Sequence, residues 1–200
     1  MNLLNQFSLS FIKPAIDYTI SILGLILLLP VILLLALEIK ISDRGPVIYS
    51  QKRIGKNGKS FTLYKFRSMH PGSEEGTTLI SSKNDERISK IGRFMRKHKF
   101  DEIPNFINVL KGEMSLVGPR PEQQYFIDKI ILQAPEYRLM HTIKPGITSW
   151  GEVKYGYASN VEQMIERLDY DIYYLKNRSI WFDAKIVFYT IGIIFKGKGI

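Results

Sequence analysis

The first part of the chain is apolar without any period. From Tyr18 to Leu37, YTISILGLILLLPVILLLAL, no charged residue interrupts the run. About 20 helical residues rise roughly 30 Å, the thickness of bilayer hydrocarbon, so the run predicts a membrane-inserted helix rather than the core helix of a small domain. Residues 1–17 are mixed and mildly amphipathic, with Lys13, Pro14 and Asp17. A secretory leader does not fit, because no small-residue cleavage site follows and Glu38 and Lys40 come next. Pro30 removes one helical hydrogen bond and crowds the preceding turn, which predicts a bend. Two membrane readings compete. The helix either spans the bilayer with a tolerated bend, or enters one leaflet, breaks and returns to the same face. Lys13 on one flank and Lys40, Arg44, Lys52 and Arg53 on the other fit the second.

After the turn at Asp43–Pro46 the period becomes two. Val47–Ser50 and Phe61–Tyr64 read as strands of a hairpin, with residues 55–58 as its loop. Its lysines and arginines suit anionic lipid headgroups, while Lys65 and Arg67 share a face at the strand end and are candidates for a phosphate. Residues 70–84 are polar and read as a loop. Helical periodicity then predicts helices over Asp85–Lys97, Pro104–Leu110, Glu122–Leu132, Pro135–His141 and Val161–Lys176. Thr142–Val153 reads as an extended loop in which Trp150 is a packing anchor. Trp181–Phe195 fits an amphipathic helix at a membrane surface or a buried core helix. The pattern is that of an α+β chain, with a membrane-inserted segment at 1–41 and the remainder, 42–200, forming one structural unit with it.

Charge narrows the partners. The net charge of +9 favours anionic ones: nucleic acid, phospholipid surfaces or phosphorylated substrates. No nucleic-acid recognition motif accompanies it. The absence of Cys excludes a disulfide framework and thiolate metal sites, and three His without paired spacing argue against zinc. No Walker or Rossmann phosphate loop and no internal repeat is present.

The densest chemistry lies between Lys99 and Pro121, KFDEIPNFINVLKGEMSLVGPRP. Two adjacent carboxylates, Asp101 and Glu102, open it. A short apolar helix follows, and Gly118-Pro119-Arg120-Pro121 closes it as a rigid turn that fixes one guanidinium. Asp101 has the makings of an N-cap, with Pro104 in the first turn behind it. The same acids with Arg120, and with Arg96 five residues upstream, also make a plausible anionic-substrate site.

Several stretches coincide in order and spacing: SQKRIG (50–55), YKFRSM (64–69), FDEIP (100–104), NVLKGEMSLVGPRP (108–121), KPGITSWGEV (144–153) and DIYYLKN (171–177). Together they resemble the bacterial sugar transferases, monotopic phosphoglycosyl transferases that start polyprenol-linked glycan assembly, in their minimal catalytic form. The resemblance implies a UDP-sugar donor, a polyprenyl (undecaprenyl) phosphate acceptor, released UMP and a magnesium requirement. It implies Asp101 as the nucleophile and a metal contact, with Glu102 as its dyad partner and a phosphosugar-aspartyl intermediate. Arg96 and Arg120 match arginines that bind phosphate oxygens, and Gln51, Arg53, Lys65, Arg67 and Lys144 match further substrate contacts.

It also implies a re-entrant helix hairpin broken at Leu29-Pro30, a small β-hairpin, and amphipathic interfacial helices packed as one membrane-surface domain. The active site would then lie at the cytoplasmic face of the bacterial inner membrane, among phospholipids, with no nucleic acid and with oligomers possible. The chain departs from the family pattern at Leu29, where Ser is frequent, at Lys144, where Arg is usual, and at Ser149, where Gly is usual. Sugar specificity is expected in residues 70–84 and 154–160. The alternative is a non-catalytic, membrane-anchored basic module that binds anionic lipid or nucleic acid.

Overall fold

The computed structural model describes residues 3–73, 85–197 and 199. Most of the polar stretch 70–84 therefore lies outside the described residues. The fold is α+β and mostly helical. It begins with α1 (Leu3–Phe7), a π-helical turn at Ser8–Ile12 and α2 (Lys13–Leu27), which run on from one another. Asn5–Leu27 is long and apolar enough to cross a membrane by length and composition.

The helix is interrupted two residues before Pro30. Leu28 has φ −87° and ψ 1°, outside the helical region, and α3 (Leu29–Asp43) starts directly behind it. Pro30 thus falls in the first turn of α3, where its missing N–H has no intrahelical partner to lose. Both segments rest on the same body. Gly24 of α2 faces Phe106, so closely that a Cβ there would lie 3.2 Å from the ring. Leu35 and Ile39 of α3 are buried with Phe66, Met95 and Ile103. Away from this contact Leu27, Leu33, Leu34 and Leu37 are exposed, an apolar surface of the kind that marks a membrane or partner contact.

Two polar residues lock α2 in place. Lys13 Nζ donates to Asp183 Oδ2 at 2.6 Å and to the Val117 carbonyl at 3.2 Å. Asp17 accepts from the Ser115 hydroxyl at 2.7 Å and from the Leu116 N–H at 3.3 Å. Buried polar atoms need such partners, and these tie the apolar helix in register to the strand beneath it.

The hairpin pairs β1 (Ile48–Ile54) antiparallel with β2 (Ser60–Phe66), Gln51 opposite Leu63. Both strands run longer than their alternation suggested. The helix expected from Asp85 begins only at Lys90, as α4 (Lys90–Lys97), capped by the Ser89 hydroxyl; before it, Ile88 bridges to Met69. α5 (Asn105–Leu110) leads to β3 (Ser115–Val117).

α6 (Gln124–Gln133) and a 3₁₀ stretch at Pro135–Thr142 follow. The expected loop at 142–153 contains β4 (Gly146–Thr148), which pairs parallel with β3, and α7 (Trp150–Lys154). Three-residue strands carry no period to read, which is why they were invisible in the pattern. α8 (Val161–Lys176) matches its expected bounds, and α9 (Ile180–Phe195) begins one residue early.

Trp150 is buried, edge-on to Phe182 at 5.0 Å between ring centroids, and packs with Val117, Tyr174 and Ile186. It is the packing anchor expected of it. α9 buries Ile186 but leaves Trp181, Phe188 and Phe195 exposed, so it is neither wholly core nor wholly surface.

Candidate active site

The chain from Lys99 to Glu102 makes one tight turn. Lys99 is left-handed, φ 55° and ψ 21°, a conformation that costs a non-glycine residue on the order of 1 kcal/mol. Phe100–Glu102 then forms a single 3₁₀ turn. This points both acids inward: Asp101 is 6% and Glu102 8% exposed. Asp101 does not cap α5. Pro104 holds the N-cap position, and no side chain caps it. The carboxylates instead line a cavity of about 50 Å³ with Arg96, Lys99, Arg120, Glu152 and Tyr157.

Arg120 is aimed by the β3–β4 clamp. Gly118 donates to the Thr148 carbonyl, and Gly146 donates to that of Pro119. A Cβ on Gly118 would lie 2.4 Å from the Lys144 carbonyl oxygen. The two backbones therefore meet only because this residue has no side chain. From that fixed turn the guanidinium bonds Glu152 Oε1 and stands 3.6 Å from Glu102 Oε1 and 3.8 Å from Glu122 Oε1.

Opposite charges alternate through the site. Lys65 Nζ donates to Glu102 Oε1 at 2.6 Å and lies 3.9 Å from Asp101 Oδ2. Lys99 Nζ is 3.7 Å from Glu102 Oε2 and 3.3 Å from Glu152 Oε2. Beyond Arg120, Glu122 accepts from Arg167 at 2.9 Å and from Arg53 at 3.3 Å.

This arrangement separates the two acids of the dyad. Burial pushes the Asp101 carboxyl above its ordinary value; Lys65 works against that, and the charge of Glu102 adds to it. Burial also opposes ionisation of Glu102, but Lys65, Lys99 and Arg120 outweigh it and hold that carboxyl well below the usual range. Glu152 is likewise lowered, burial being overcome by Lys99 and Arg120. Neighbouring carboxyls driven apart in this way can take different roles.

The expected site residues divide into groups. Lys65, Arg96 and Arg120 come together around the dyad. Arg96 also donates its Nε to the Ser68 hydroxyl at 2.8 Å. Gln51 and Arg53 sit one layer away: Arg53 donates to Gln51 Oε1 at 2.7 Å and to Glu122. Arg67 donates to the Pro46 carbonyl where α3 joins the hairpin. Lys144 lines a different cavity, which shares no lining residue with that of the dyad. Leu29 and Pro30 lie in the first turn of α3.

The family model for bacterial sugar transferase matches residues 8–197. This chain belongs to the bacterial sugar transferase family. A UDP-N-acetylgalactosamine-undecaprenyl-phosphate N-acetylgalactosaminephosphotransferase of Aeromonas hydrophila is 41% identical over 95% of this chain and 45% of its own length. A UDP-glucose:undecaprenyl-phosphate glucose-1-phosphate transferase of Escherichia coli (strain K12) is 40% identical over 93% of this chain and 40% of its own length. One of the same name from Caulobacter vibrioides is 36% identical over 90% and 68%. The chain thus spans less than half the length of the first two.

Within this sugar transferase chain, sequence reasoning missed Lys99, Glu122, Glu152 and Arg167. Their partners lie up to 69 residues away in the pairs described, as Arg53 does from Glu122. The available signal was local: Glu122 directly follows the rigid GPRP turn, and Glu152 stands two residues from the buried Trp150. Ser149, a departure from the family pattern, is buried and accepts from the Glu152 N–H at 3.0 Å, capping α7.

Proposed function

We propose that this chain is the catalytic unit of a phosphoglycosyl transferase that moves a phosphosugar from a UDP-sugar to polyprenyl phosphate and releases UMP. The observation that carries the reading is the buried Asp101–Glu102 pair beside Lys65, Lys99, Arg96 and Arg120. The substrates follow from the names of the relatives. The binding-module alternative would need neither a buried dyad nor the charges ranged around it.

In the first step an Asp101 oxygen attacks the β-phosphorus of the donor. The bond from that phosphorus to the bridging oxygen breaks, and UMP leaves with the bridging oxygen and its electron pair. The phosphosugar remains on Asp101 as an acyl phosphate. In the second step an oxygen of polyprenyl phosphate attacks the same phosphorus, and the Asp101 carboxylate is released. Glu102, fixed as an anion, holds Lys65 beside Asp101 throughout. Arg96 and Arg120 would bind the phosphoryl oxygens.

Magnesium fits this donor set. Glu102 Oε2 is buried with no hydrogen-bond partner, and magnesium is usually held by one or two carboxylates together with substrate phosphates and water. No cluster of three or more metal-binding side chains exists among the described residues, so Asp101, with Glu102 behind it, would share the ion with the donor. When bound it would screen the diphosphate charge and polarise the leaving group.

The apolar helix is read as re-entrant. Support comes from both arms, α2 through Gly24 and α3 through Leu35 and Ile39, resting on one body; a helix crossing the bilayer would carry one arm away. The site would then sit at headgroup level on the cytoplasmic face of the inner membrane, where a soluble nucleotide sugar can meet a lipid phosphate. The test is UMP release from a panel of UDP-sugars with undecaprenyl phosphate and magnesium. Asp101→Asn should lower it by at least about 10³-fold while membrane association persists. Appreciable turnover in that variant would overturn the reading.

A further inference from the structure

Lys144 belongs to the KPGIT motif, yet its side chain faces away from the chemistry. It lines a cavity of about 540 Å³ between the N-terminal helix and the body, together with Lys13, Asp17, Ser115, Lys56 and Arg178. A neighbouring cavity of about 350 Å³ shares Lys56 and Lys144 and adds Lys59 and Lys111. The two form a continuous basic trough. Gly112 lets it close up: at φ +76° its absent Cβ leaves room for the Tyr18 hydroxyl and the Lys144 ammonium, 3.3 and 3.6 Å from where that atom would be.

The charges in the trough are not balanced. Asp17 is occupied by Ser115 and Leu116, and Lys13 by Asp183. Glu113 also lines the second cavity, where it accepts from the Asn108 amide at 2.7 Å, and the cations still outnumber the two carboxylates: among the described residues Lys56, Lys144 and Arg178 are in no ion pair. Arg178 Nε is buried with no hydrogen-bond partner. Uncompensated cations held together call for an anion, and three-donor ammonium groups suit phosphate. The source of that phosphate follows from the walls. One wall is the first part of the apolar helix, from Gln6 to Tyr18, and Leu9, Val109, Met114 and Ile143 give the lining an apolar share.

We propose that this trough binds the phosphate of an anionic phospholipid headgroup, at a site separate from the dyad; the lipid source rests on the membrane reading given above, and not on the transfer chemistry.

The test is thermal denaturation of the full chain in neutral detergent, titrated with dioctanoyl phosphatidylglycerol. The wild type should show a saturable rise in Tm. At roughly 1 kcal/mol per lysine, K56Q/K144Q should move the midpoint to about 25-fold higher lipid. Lys56→Gln alone, at the exposed hairpin tip, should move it about fivefold and guards against a double variant that fails to fold. Lys90→Gln, on the exposed face of α4, should not move it.

An unchanged midpoint in both trough variants would overturn the site, as would an equal shift in Lys90→Gln. An equal rise in Tm with inorganic phosphate or UMP would overturn the lipid assignment, and an equal rise with phosphatidylcholine would overturn the anionic preference. Asp101→Asn should leave the midpoint where it was; a shift there would overturn the separation from the dyad. Absence of UMP release with the lipid response intact would fault the transferase reading alone.

Discussion

Lys65 is hydrogen-bonded to Glu102, at 2.6 Å, and only approaches Asp101, at 3.9 Å. One ammonium thus divides two adjacent carboxylates into one that is hydrogen-bonded and one that is only approached. In the mechanism proposed above this leaves Asp101 free to attack, because Glu102 supplies the tie to Lys65 instead. Lys65 comes from the end of β2, so the hairpin brings to the site a cation within 4 Å of both acids.

Replacing that cation should move the pH profile. In the proposed mechanism only ionised Asp101 attacks, and burial raises its carboxyl above the ordinary 3.8 while Lys65 opposes the rise. The acid limb of UMP release is therefore expected above the ordinary 3.8. In Lys65→Gln it should shift to still higher pH, and the plateau rate should fall about 10- to 100-fold. A lowered plateau with an unmoved limb would mean that Lys65 acts only on substrate.

Glu152 is the anion that separates Lys99 from Arg120. Glu152→Gln would leave two buried cations without it, a loss of about 3 kcal/mol, measurable by urea unfolding. Its folded pKa is depressed below 4.5, as is that of Glu102. Their stabilisation is present above that value and is lost as the pH falls through the folded pKa values. Asp171 acts oppositely: buried, and with its carboxyl pushed up to about 6, it makes folding less favourable as the pH rises from about 4 to about 6. The variant should therefore lose less stability than wild type on acidification below 4.5. An equal loss would remove Glu152 from this balance.

Gly92 lets α4 lie on the backbone just beyond β2, at Ser68. A Cβ there would stand 1.9 Å from the Ser68 carbonyl oxygen, and backbone cannot give way by that much. Gly92→Ala should destabilise the protein by about 3 kcal/mol. It should also pull Arg96 from the Ser68 hydroxyl and raise the KM for the donor. Unfolding by urea and the kinetics of any folded fraction check both; a variant as stable as wild type would show that α4 is free to shift.

The parts of the fold that sequence revealed were those with a period. Alternation showed the hairpin, and a 3.6 repeat showed α8; its cap, Asn160, came from the structure. β3 and β4 were hidden, because a parallel pair of three residues each depends on Gly118 and Gly146 meeting across the fold, not on local pattern. Pro30 announced a break, but the break fell at Leu28 because proline is better placed inside a first turn than at its edge. That Asp101, Glu102, Arg96 and Arg120 lie close together was legible from the order of charges before the rigid turn at Gly118–Pro121. Lys99 and Glu152 were not, since each is meaningful only beside the other, and a single sequence does not record which distant charges pair.

The most direct measurement is intact-protein and peptide mass spectrometry of the chain exposed to a UDP-sugar and magnesium without lipid acceptor. An added mass of one phosphosugar, mapping to Asp101 and absent from Asp101→Asn, is the predicted result. A mass that maps to another residue, or an unmodified protein under conditions that support turnover, would contradict the mechanism.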